Sequence, residues 1–121
     1  LKQCVDGIAT AVQVGAYPEG LARLKQMEAE YGRGGKSSVI VPYITYRRIM
    51  AQNAVELLAV EPDKREAIQT EWLKSLTSFV EAYPQSDDAA DAMWNLATAA
   101  EFDGKPKDAA EWYLRLVKDK G

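Results

Sequence analysis

Histidine is absent from the 121 residues, which removes at once the commonest general base, the usual partner of a nucleophilic side chain and the commonest metal ligand. Catalytic, metal and cofactor sites are therefore not expected. Cys4 is the one cysteine; Lys2 is the basic residue near it, and one helical turn further on stand Gly7 and Ile8. Little in that neighbourhood would stabilise a thiolate, so Cys4 reads as a small buried or half-buried helix residue. Residues 32–38, Gly-Arg-Gly-Gly-Lys-Ser-Ser, invite comparison with a phosphate-binding loop, whose glycines expose backbone N–H groups while a lysine reaches the phosphate. The comparison fails, because the position that needs the first glycine holds Glu30 and the preceding segment reads as a helix rather than a strand. Asp87 and Asp88 are adjacent, and adjacent helical side chains diverge by about 100°. A first helical turn explains this pair better than acid–base work does. Glu101 and Asp103 flank a turn and read as solvated.

The elements that position these residues are helical. Apolar residues recur at three and four, alanine is abundant and strand-like alternation is missing, so an all-α chain of six helices is expected. The first covers residues 1–14, with Val5, Ile8, Ala9 and Val12 on one stripe and Gly15 as a left-handed stop. A second begins at Pro18, a residue suited to a first turn, and carries Leu21, Leu24, Met27 and Tyr31. Residues 32–38, with three glycines and two serines, have the composition of a flexible connection. The third runs over 39–60, with Ser38 as N-cap and Pro42 tolerated in its first turn. Its expected buried side is Ile44, Ile49, Ala51, Ala54, Leu57 and Leu58. The fourth spans 63–83 from an Asp63/Glu66 capping pattern to Pro84. Ser86 caps the fifth, which ends near Gly104, and Pro106 opens a sixth that reaches 119.

The balance of 47% hydrophobic and 27% charged residues is that of a folded globular chain. Its length suits one domain of modest core. A net charge of −3 with dispersed Lys and Arg offers no footprint for a phosphate backbone, so no nucleic-acid partner is expected. The longest apolar run, 39–46, is broken by Pro42 and falls far short of the ~20 residues of a bilayer span. No membrane insertion is expected. Leu1 stands where an initiator Met would, with no signal-peptide pattern, and the expectation is a piece of a longer polypeptide whose targeting segment lies elsewhere.

Helix, short turn, helix and a terminating Gly or Pro recur, which is the mark of a helical array. Counting a unit of about 34 residues from Ala90 puts Ala97 at position 8, Ala109 at 20 and Tyr113 at 24, with Gly104 at the turn. A tetratricopeptide repeat has small, small and large residues there, because antiparallel helices approach closely only where side-chain bulk is removed. Counting from Leu1 gives Gly15 at the turn and Gly20 and Leu24 at the matching small and large positions. The middle unit keeps Leu76, Phe79 and Pro84 in register, while Trp72 takes a usually small position.

Ser86 through Trp94, continuing past Gly104 to Val117-Lys118-Asp119 and preceded by Phe79-Val80-Glu81-Ala82-Tyr83-Pro84, resembles the tetratricopeptide repeats of bacterial envelope proteins. The similarity is to the periplasmic cell-division coordinator associated with the Tol-Pal system and to related outer-membrane assembly lipoproteins. The stretch is also similar to the helical segment preceding the thioredoxin-like domain of some bacterial thiol-disulfide oxidoreductases. It covers residues 76–119, about a third of the chain, and implies three antiparallel hairpins in a right-handed superhelical array (units 1–34, 39–84 and 87–119). It also implies an interaction scaffold of the periplasm or cell envelope and no catalytic residue.

In such an array the first helices of the units line a concave face. The last unit presents Asp91, Trp94, Thr98 and Glu101 there, and Tyr43, Tyr46 and Arg47 extend the candidate surface on the third helix. Trp94 either anchors a peptide or packs against a neighbouring helix, while Trp72 and Trp112 read as packing residues. The leading expectation is a non-enzymatic scaffold for a protein or peptide partner. Two alternatives are a non-catalytic appendage of an exported thioredoxin-family oxidoreductase and a homo-oligomerisation module.

Overall fold

The computed structural model describes residues 1–33 and 39–120. Among them the chain is all-α, with six helices and no strand: α1 (Lys2–Gln13), α2 (Gly20–Gly32), α3 (Ile40–Ala59), α4 (Arg65–Ala82), α5 (Ala89–Phe102) and α6 (Pro106–Lys120), plus a 3₁₀ turn at Pro62–Lys64. No helix among the described residues is long and apolar enough to cross a membrane.

α1 and α5 stop in the same way. Gly15 and Gly104 take φ of 78° and 72°, a region that costs glycine nothing. Past each glycine two backbone bonds close the helix end: Gly15 N–H to Val12 O at 3.1 Å and Ala16 N–H to Ala11 O at 2.9 Å, matched by Gly104 to Glu101 at 3.1 Å and Lys105 to Ala100 at 2.8 Å. That is the Schellman pattern, which satisfies carbonyls left over at a helix end. Each glycine turns the chain straight into a packed partner, α2 after α1 and α6 after α5.

α6 opens at Pro106 as expected, but other helix starts depart from expectation. α2 begins at Gly20, after a turn closed by Gly20 N–H to Tyr17 O at 3.0 Å. α5 begins at Ala89 with Asp88 as N-cap and no capping bond from its side chain; Ser86 instead accepts the Ala89 N–H on its backbone carbonyl at 3.1 Å. Asp63 lies inside the 3₁₀ turn. The N-cap of α3 is Val39, while Ser38 and residues 34–38 of the expected connection lie outside the described residues.

The chain divides into two compact units, Leu1–Trp72 and Leu73–Gly121, with the boundary inside α4. In the first, α1, α2 and α3 all pack on one another. Their shared core is Val5, Ala9 and Val12 of α1, Leu24 and Met27 of α2, and Ile44 and Ala51 of α3. Gly20 makes the closest approach: a Cβ there would collide with Val12 Cγ2 and sit 2.9 Å from Tyr17 Cδ2. A fork joins α2 to α3 at the surface of this core, Arg48 donating to both oxygens of Glu28 at 3.1 and 3.2 Å and to Gln52 at 3.3 Å. Such two-pronged pairs fix geometry as well as adding energy.

In the second unit α5 packs on α6. α5 buries Ala89, Ala92, Met93, Leu96, Ala97 and Ala99, and α6 buries Ala109. Ala97 and Ala109 thus occupy buried positions in the two helices that the repeat pattern assigns to small residues. From α4, Leu76, Phe79 and Val80 are buried, with the Phe79 and Tyr83 rings 5.6 Å apart. Three residues expected on inward faces are outside: Leu58 is 71% exposed and Tyr31 38%, and Cys4 is exposed because the inward position on that turn of α1 belongs to Val5.

Candidate functional site

α5 has two faces of opposite character. Its alanines, Met93 and Leu96 go inward, which leaves Asp91, Trp94, Thr98 and Glu101, at spacings of three, four and three, on one outer stripe. Trp94 is 52% exposed, unusual for a residue type that is mostly buried on average. The Tyr113 ring of α6 meets it edge-to-face, centroids 5.5 Å apart and planes at 68°, a favoured aromatic geometry.

The Tyr113 phenol is raised above the ordinary 10.0, by partial burial first and then by the neighbouring Glu101 carboxylate as acceptor and charge. At the other end of the stripe Asn95 Nδ2 donates to the Asp91 carbonyl at 3.0 Å and to Asp91 Oδ2 at 3.4 Å. The half-buried Thr98 hydroxyl donates to Asn95 O at 3.2 Å, so its proton is already engaged. The result is an aromatic pair with a carboxylate on each side. The sequence marks Tyr113 only as the large residue of the second helix of the unit; its place beside Trp94 comes from the packing of α6 on α5, a relation invisible in the α5 sequence.

Tyr43, Tyr46 and Arg47 form a separate group in the first unit. The Arg47 guanidinium lies 3.7 Å from the Tyr43 centroid, and Lys2 Nζ lies 4.8 Å from it. The Tyr43 hydroxyl donates to Asp6 Oδ1 at 2.6 Å, and Arg47 Nε sits 3.5 Å from the same oxygen. Tyr46 is buried, with Arg47 5.9 Å from its ring. Cation–π contacts at such surfaces contribute about 0.5–1 kcal/mol; here they are satisfied within the chain. Lys2 and Asp6 were not anticipated, although opposite charges four apart on one helix face are a readable signal.

No family model, no curated protein and no solved structure matches the chain.

Chemically, the Trp94 stripe presents an exposed indole with carboxylates on either side. No group of three or more His, Cys, Asp or Glu among the described residues is placed to hold a metal ion. A cavity of about 240 Å³ in the second unit is lined by Leu73, Leu96, Ala100 and Trp112 together with the charged Asp103, Lys105, Asp108 and Glu111.

Proposed function

We propose that the chain is a tetratricopeptide-like scaffold that binds a peptide or a neighbouring domain, with the Asp91–Trp94–Thr98–Glu101 stripe of α5 as its contact face. The observation that carries this reading is the half-exposed Trp94 braced by Tyr113. A rigid aromatic ring with polar neighbours supplies contact area at little conformational cost, which is how interface anchors are built. The Schellman stops at Gly15 and Gly104 and the close approach at Gly20 favour hairpins for α1 with α2 and α5 with α6; three hairpins in a right-handed superhelical array is the proposed extension to the whole chain. The role is non-enzymatic, without cofactor or nucleic acid. The envelope or periplasmic setting rests on the resemblance alone.

Selection from a phage-displayed peptide library tests the reading. Selected peptides should lose at least about tenfold in affinity, roughly 1.4 kcal/mol, when Trp94→Ala is introduced, with far-UV circular dichroism unchanged. Ligands indifferent to that substitution would remove Trp94 from the contact face.

A second reading, homo-oligomerisation, is favoured by Leu114 and Val117 of α6, which are 69% and 68% exposed and three apart on one helix face. Sedimentation velocity over a wide concentration range should then show association that Leu114→Gln with Val117→Gln abolishes; a monomer at every concentration counts against it.

A further inference from the structure

We propose that the occupant of the Trp94 face is a peptide segment carrying a Lys or Arg side chain among apolar residues, with its cation against the Trp94 ring between Asp91 and Glu101. This rests on the docking role proposed above and adds the chemistry of the partner.

Along the sequence, the stretch that holds Trp94 is acidic. Between Lys74 and Lys105 the chain has Glu81, Asp87, Asp88, Asp91, Glu101 and Asp103 and neither Lys nor Arg. Trp94 stands inside that stretch. Indole is the best aromatic partner for a cation because its face carries negative quadrupolar charge, and carboxylates one turn before and two turns after it add to the same field. An acidic peptide would meet like charge at both ends of the stripe.

The other aromatic groups of the chain provide an internal comparison. Tyr43 has Arg47 and Lys2 over its ring, and Trp112 has Arg115 5.6 Å from its centroid. Trp94 has an aromatic neighbour and no cation over its ring among the described side chains, while 52% of the residue remains accessible. The Glu101 carboxylate lies close enough to Tyr113 to hold its phenol protonated to higher pH, which places one negative charge beside the aromatic pair. An arriving Lys or Arg side chain has a stem that lies along apolar surface and a charged end for the carboxylates.

The test uses three acetylated, amidated nonapeptides, one with two Arg-Leu pairs and two in which Gln or Glu replaces Arg, titrated into the ¹⁵N-labelled chain. The Arg peptide should shift the Trp94 indole N–H signal and weaken several-fold between about 50 and 200 mM salt. The Gln peptide should bind about tenfold more weakly and the Glu peptide not detectably. Asp91→Asn combined with Glu101→Gln, which keeps an acceptor for Tyr113, should cost the Arg peptide about tenfold with the Trp94 signal still in its folded position. Equal binding of Arg and Gln peptides, or no loss in the double variant, overturns the cationic partner and leaves Trp94 as a docking residue. No shift at Trp94 with any of the three overturns it as well, and the library selection then decides the docking role independently.

Discussion

Ile44→Ala should lower stability by about 2–5 kcal/mol, the range for truncating a fully buried aliphatic side chain. Ile44 is completely inaccessible and belongs to the cluster that holds Val5, Ala9 and Val12 of α1 with Leu24 and Met27 of α2. α3 packs on both of those helices, so the deleted methyl groups leave a space bordered by three elements. Each of them is held by other contacts and collapses only in part. The loss is a large share of the 5–15 kcal/mol typical of a whole domain. Urea unfolding followed by circular dichroism measures it; a change under about 1 kcal/mol would place Ile44 outside the core.

Alanine at two glycines should act with opposite signs. Gly7 is inside α1 with nothing within 4 Å of a would-be Cβ, so Gly7→Ala should stabilise by about 0.5–1 kcal/mol through helix propensity and a less flexible unfolded chain. Gly20→Ala gains part of the same term but forces a methyl group against Val12, whose buried β-branched side chain has little freedom to turn. Overpacking of this kind costs about 1–3 kcal/mol, so the net effect is destabilising. The same urea experiment reads both, and a stabilising Gly20→Ala would mean that α1 and α2 do not approach as closely as described.

Helix stops were more legible in the sequence than helix starts. Gly15 and Gly104 act through a covalent property of the residue itself, access to positive φ, and the one start as legible is Pro106, whose missing N–H suits the first turn of α6. Ser86 and Asp63 fail as side-chain caps because backbone turns, such as Ala89 N–H to Ser86 O, occupy those places, and two solutions of comparable energy leave no distinct residue pattern. The candidate surface was legible to a similar degree. The repeat count put Asp91, Trp94, Thr98 and Glu101 on one face, and the structure places them on one outer stripe because the inward side of α5 is mostly alanine. On α3 the pattern defines no single face, because Ile40, Val41, Tyr43, Ile44, Tyr46, Ile49 and Met50 spread apolar surface around the helix. Nothing in that distribution tells that Tyr46 is buried while Tyr43 meets Asp6 across to α1.

The helix pairings described above, α1 with α2, α1 with α3, α2 with α3 and α5 with α6, join elements adjacent or next but one along the chain. Contacts so local require little loop closure before they form, and helical domains of this kind fold in microseconds to milliseconds. The first unit can therefore assemble during synthesis, with α1, α2 and α3 already packed while α6 is still being made. Slow steps set by distant pairing, and the long-lived sticky intermediates that accompany them, have no counterpart in these pairings.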